Sequence, residues 1–172
     1  RGLGALLTGT PRARIAASIP GVLLLVPIFL TTRRCFGARA AWWAVGAGAF
    51  LPGMLSVSLE VFDVGLAALL LALAAWAGDL GRPGTRGLTQ GLLVGLAYLT
   101  RPEAPVYGAG LALGVWLAPH RSGEGGTPVR ARELAGLAAG FVLVAAPYLI
   151  HLRLEHDRWM VSPKQTALAT GL

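Results

Sequence analysis

Apolar runs and short polar gaps alternate along the whole chain. The runs cover Ile15–Thr32, Ala40–Leu59, Val64–Gly78, Gly87–Thr100, Ala104–Pro119 and Glu133–Ile150. The gaps between them hold Arg, Gly, Pro, Asp and Glu. Ala and Leu dominate the runs, and strict two-residue alternation is absent, so the pattern predicts helices rather than strands. A helix needs about 20 residues to cross the hydrocarbon core of a bilayer. The first, second and sixth runs meet that length. The third to fifth fall short and span only if their polar ends snorkel, or else they are re-entrant. The expected fold is an all-α polytopic transmembrane bundle of about six spans. Four spans plus a re-entrant pair stays open as the alternative.

Composition narrows the solvent. Of 172 residues, 55% are hydrophobic and only 13% charged, and the mean hydropathy is +0.63. Soluble domains carry about 25% charged residues. Much of this chain is therefore expected to face lipid. The formal net charge is +7. On a soluble protein that would suggest nucleic acid, but here the arginines sit in the gaps between apolar runs, and no aromatic–basic surface suited to single strands is present. Nucleic acid is not expected as a partner. A single cysteine, Cys35, excludes a disulfide framework.

The gaps also carry an orientation. Arg33, Arg34 and Arg39 follow the first run, Arg82 and Arg86 the third, and Arg121, Arg130 and Arg132 the fifth. The intervening gaps hold Glu60 and Asp63, then Arg101 with Glu103. Positively charged loops stay on the cytoplasmic side. This puts the "SLEVFD", "LTRPE" and "HLRLEHDRW" segments at the outer face. Arg1, Arg12, Arg14, Arg153, Arg158 and Lys164 in the flanking segments run against the rule.

Three segments invite chemistry. Arg101 ends an apolar run immediately before Pro102, which breaks a helix and frees backbone groups. Its guanidinium is either an interfacial anchor at a proline turn or an anion site, since its fork of donors matches phosphate oxygens. Glu103 stands where it can orient that fork. Glu60 and Asp63 lie three apart and share a face if helical. Either is a solvated hairpin tip, or Glu60 is a carboxylate base toward a sugar hydroxyl. His151, Glu155, His156 and Asp157 do not follow the His-Glu-x-x-His order of a zinc helix. No metal ligands are assigned, no cofactor is expected, and nothing supports a divalent metal. "GEGG" at Gly123–Gly126 lacks the Lys-Ser/Thr that completes a phosphate loop and reads as a flexible linker.

The segments "GLLVGLAYLTRPEAPVYG", "TTRRCFGARAAWWAVGAGAFLPGMLSVSLEVFDVGLAALLLALAAW" and "DRWMVSPKQTAL" together resemble the polytopic glycosyltransferases of the GT-C superfamily. The resemblance is to bacterial relatives of the protein O-mannosyltransferase and lipid A aminoarabinose transferase groups. It implies a polyprenyl-phosphate-linked sugar as donor, and transfer at the outer face of a bacterial cytoplasmic membrane. It also implies an essential aspartate in the first external loop, upstream of Arg1. The chain then reads as one transmembrane domain fragment, 1–172, with parts missing at both ends and inactive alone. Among the residues present, Arg101 is expected at the donor phosphate with Glu103 orienting it and Glu60 as a catalytic carboxylate, and the resemblance adds Arg14 and Lys164 to the donor phosphate.

The expected function is therefore a membrane glycosyltransferase with membrane lipid as its surroundings and the acceptor open. A transporter or permease, or a non-catalytic membrane subunit, is the alternative. A transporter would carry more ionisable groups at mid-helix and an internal repeat, whereas these charges cluster at helix ends.

Overall fold

The computed structural model describes residues 11–50, 62–78, 80, 82–117 and 127–156. They form five helices: α1 (Pro11–Phe50), α2 (Phe62–Ala77), α3 (Pro83–Thr100), α4 (Ala104–Leu117) and α5 (Thr127–His156). The all-α expectation holds for the described residues. The chain divides into two compact units, Arg1–Trp76 and Ala77–Leu172.

In the first unit, α1 is a hairpin. Its 40 residues are helical except at Gly37, where φ is 86° and ψ is 172°. That backbone region is essentially open only to glycine. The two arms fold back on each other. Phe29 and Trp42 have ring centroids 5.0 Å apart, whereas in a straight helix residues at this separation stand about 20 Å apart along the axis. A Cβ on Gly48 would lie 3.5 Å from Leu25 Cδ2. Leu24 and Pro27 on the first arm and Ala41 and Gly48 on the second are buried. The second arm is small where the first is bulky, so the backbones approach closely. Pro20 and Pro27 interrupt the hydrogen-bond ladder inside the first arm.

The sequence predicted a loop over residues 33–39 here. Instead the helix runs through Arg33, Arg34, Cys35 and Phe36, and the reversal occupies one glycine. Arginine is a good helix former and carries no signal to stop. The part of the second run after Phe50 lies outside the described residues. Helix α2 follows the third run closely and buries Gly65, Ala67, Ala74 and Ala77.

In the second unit, α3 and α5 run parallel in close contact. The facing positions advance together along both helices. A Cβ on Gly87 would strike the Glu133 carbonyl, one on Gly91 the Leu137 carbonyl, and one on Gly95 the Val144 side chain. From the other side, Gly136 and Gly140 meet the backbone around Leu88 and Leu92. The Gly91–Gly95 spacing in the sequence belongs to this face. Between them α4 returns in the opposite direction, with Gly108 against Val94. Val94, Ala97 and Tyr98 fill the centre.

Large apolar side chains cover the outside: Val106, Leu113, Trp116, Leu143 and Leu154 are all more than half exposed. Soluble monomers rarely present so continuous an apolar surface. Lipid is the solvent that accommodates it. The Ser18–Phe50 and Thr127–Glu155 segments are long and apolar enough to cross a membrane, and two shorter apolar helices accompany them. The fold-back at Gly37 makes the first of these a pair of arms rather than one long rod.

Boundaries shift at α5. The sixth run was expected from Glu133 to Ile150, but the helix starts at Thr127 and ends at His156. It thus absorbs Arg130 and Arg132 from the expected loop and the His151–His156 stretch from the expected tail. Hydropathy marks where a helix leaves the apolar layer, not where its backbone bonds end.

Candidate functional site

The α3–α4 turn is built by three residues, Arg101, Pro102 and Glu103. Thr100 Oγ1 donates to the Ala97 carbonyl at 2.7 Å, and the Arg101 N–H donates to the same oxygen at 2.8 Å. Arg101 then takes an extended conformation, φ −142° and ψ 124°, as a residue before proline prefers. Pro102 brings no N–H to satisfy. The next helix starts when the Ala104 N–H donates to the Arg101 carbonyl at 3.2 Å and the Val106 N–H to the Glu103 carbonyl at 3.1 Å. The turn thereby satisfies backbone groups that helix ends leave open.

This geometry throws Arg101 and Glu103 to the same side. Arg101 Nε lies 3.6 Å from Glu103 Oε2, with the side chains 40% and 59% exposed. So long and open a contact contributes roughly 0–1 kcal/mol to stability. Its consequence is orientation: the Nε of the guanidinium lies beside the carboxylate.

Helix α5 brings more polar groups to this end of the unit. Tyr98 packs against Phe141 and Tyr148, with ring centroids 5.7 Å and 6.0 Å apart. Continuing that register brings the turn level with the last turns of α5. There His151 Nε2 lies 3.4 Å from Glu155 Oε2, one helical turn on. The sequence reading missed this pair because it ended the helix at Ile150. The i,i+4 spacing would have shown it once the helix was extended. Among the described residues, no three His, Cys, Asp or Glu side chains gather where they would hold a metal ion.

The structure describes no side chain of the remaining expected site residues. Glu60 and Lys164 lie outside the described residues. Arg14 belongs to the first turns of α1, with its side chain undescribed. Asp63 falls in the first turn of α2.

One family model, dolichyl-phosphate-mannose-protein mannosyltransferase, matches residues 6–151. The chain belongs to this mannosyltransferase family. The match spans the sequence of the α1 hairpin, the Leu-Thr-Arg-Pro-Glu turn and most of α5, so it extends along most of the chain rather than over one motif. No curated protein and no solved structure matches the chain. The family is one of glycosyltransferases that use lipid-phosphate-linked sugar donors. Membership, together with the exposed apolar helices, makes this mannosyltransferase-family chain a membrane protein.

Proposed function

We propose that the chain forms part of the transmembrane domain of a glycosyltransferase that moves a sugar from a polyprenyl-phosphate donor to an acceptor at the outer face of a bacterial cytoplasmic membrane. Six spans carry it: the two arms of α1, then α2 to α5. The family match carries the reading, and the exposed Arg101–Glu103 pair at the α3–α4 turn supports placing the donor phosphate there.

The chemistry needs two things. The bond from the anomeric carbon to the lipid phosphate breaks, and its electron pair leaves on a phosphate oxygen. That group departs readily once its charge is met, so charge stabilisation matters more than a strong general acid. Arg101 supplies it, with Glu103 holding the Nε edge and the terminal nitrogens turned to the phosphate. Arg14 and Lys164 add positive charge from other segments. The acceptor hydroxyl forms the new bond and gives its proton to a carboxylate, either Glu60 or an aspartate upstream of residue 1. A single displacement inverts the anomeric centre.

The test is Arg101→Lys and Arg101→Ala in the full-length enzyme, assayed with a polyprenyl-phosphate sugar. Lysine keeps the charge and loses the fork. It is expected to raise the donor KM, while alanine removes most transfer. Full activity and ordinary donor affinity in Arg101→Ala would leave Arg101 as an interfacial anchor.

A further inference from the structure

The other end of the second unit is different in kind. Among the described residues, it gathers Arg82, Arg86, Arg130 and Arg132 against Glu133 alone. At the turn end, Arg101 and Arg153 are matched by Glu103 and Glu155. The asymmetry follows from the parallel pairing of α3 and α5, which brings two separate basic segments to one level.

A cavity of about 400 Å³ opens between those helix starts, lined by Arg82, Gly84, Thr85, Val129 and Arg132. That volume lies in the range of small-ligand sites, about 300–1,000 Å³. Both arginines are exposed. Arg82 stands just before α3 and Arg132 lies in α5, so the cavity has an arginine from each of two separate segments in its lining. Val129 and the arginine stems give the cavity apolar walls. Thr85 Oγ1 is engaged with the Arg82 carbonyl at 2.8 Å. Helix α3 has no side-chain cap at Arg82, and Pro83 carries no N–H.

We infer that this cavity holds the phosphate headgroup of an anionic membrane phospholipid from the cytoplasmic leaflet, at the end of the bundle opposite the Arg101 turn. The two guanidiniums would meet the phosphate, and the exposed Leu88 and Leu96 of α3 and Val142 and Leu143 of α5 lie farther along the same helices for the acyl chains. Basic pockets between membrane helices on the cytoplasmic side select anionic headgroups in this way. A soluble anion gains the charge but not the apolar continuation, which is why lipid is the occupant. The inference rests on the orientation in the proposed function, with the α3 and α5 starts cytoplasmic.

The test uses the full-length protein in detergent supplied with equal phosphatidylglycerol and phosphatidylcholine. Native mass spectrometry reads the lipids retained. The protein is expected to prefer phosphatidylglycerol. An Arg82→Gln/Arg132→Gln variant is expected to lose that preference by about 25-fold, since each of the two basic residues near the surface contributes about fivefold. Arg33→Gln/Arg34→Gln, in the first unit, is expected to keep it. Unchanged preference in the Arg82/Arg132 variant, or equal loss in the Arg33/Arg34 variant, would overturn the site. Displacement of the lipid by millimolar inorganic phosphate would mark a free-anion site and overturn the lipid assignment. Orientation is read separately, by impermeant labelling of a cysteine at Ser122 in a Cys35→Ser background. Labelling from outside intact cells would overturn the leaflet through the orientation, even with phosphatidylglycerol retained.

Discussion

Gly91→Ala is the sharpest test of the second unit. The added Cβ would strike the Leu137 carbonyl oxygen and lie 2.9 Å from both Leu137 C and Phe141 N. These are backbone atoms of α5, so no side chain can rotate away, and the helices must move apart. Overpacking of this kind costs about 1–3 kcal/mol. Alanine returns at most about 1 kcal/mol through its better helix propensity. The net expectation is a loss of about 1–2 kcal/mol, or roughly five- to thirtyfold in the folding equilibrium. The matched control is Gly110→Ala on α4, where a Cβ meets nothing within 4 Å. There only the propensity gain applies, and stability stays level or rises. The assay is thermal unfolding of the full-length protein in detergent, read as the loss of the monodisperse peak after heating. Gly91→Ala is expected to melt several degrees below Gly110→Ala. Equal melting of the two would refute the close parallel packing of α3 on α5, and with it the gathering of basic residues at one end.

The α1 hairpin predicts that cysteines at Leu25 and Gly48, in a Cys35→Ser background, cross-link readily under mild oxidation; absence of the cross-link would favour a straight helix, in which they stand about 34 Å apart. Gly37→Ala is expected to destabilise the first unit by about 1–3 kcal/mol through backbone strain alone, because nothing lies within 4 Å of the new Cβ; a melting point equal to wild type would contradict the positive φ. Gln90 is 3% exposed, and its Oε1 has no hydrogen-bond partner among the described residues. Gln90→Leu is therefore expected to stabilise the protein by about 1 kcal/mol in the same melting assay, and a loss instead would reveal a donor from another segment.

The apolar periodicity determined a good deal by itself. It marked the helical segments, because a bilayer leaves few ways to satisfy a backbone other than helix. The Arg101 turn was also marked, because an arginine, a proline and a glutamate together end an apolar run there, whereas Pro20, Pro27 and Pro147 stand inside helices. Helix ends were less legible. At Thr127 and His156 the backbone continues past the apolar stretch, and charged residues there form helix as readily as loop. Gly37 was visible as a letter but not as the whole of a reversal, since its positive φ matters only once two arms are packed. The site divides the same way. Arg101 and Glu103 sit two positions apart, on either side of a proline, so their meeting is local. His151 with Glu155 depended on where α5 ends. The cavity between Arg82 and Arg132 was beyond sequence reading altogether: two basic segments meet only because α3 and α5 lie parallel, and the glycines that allow that contact must face each other in space before their spacing means anything.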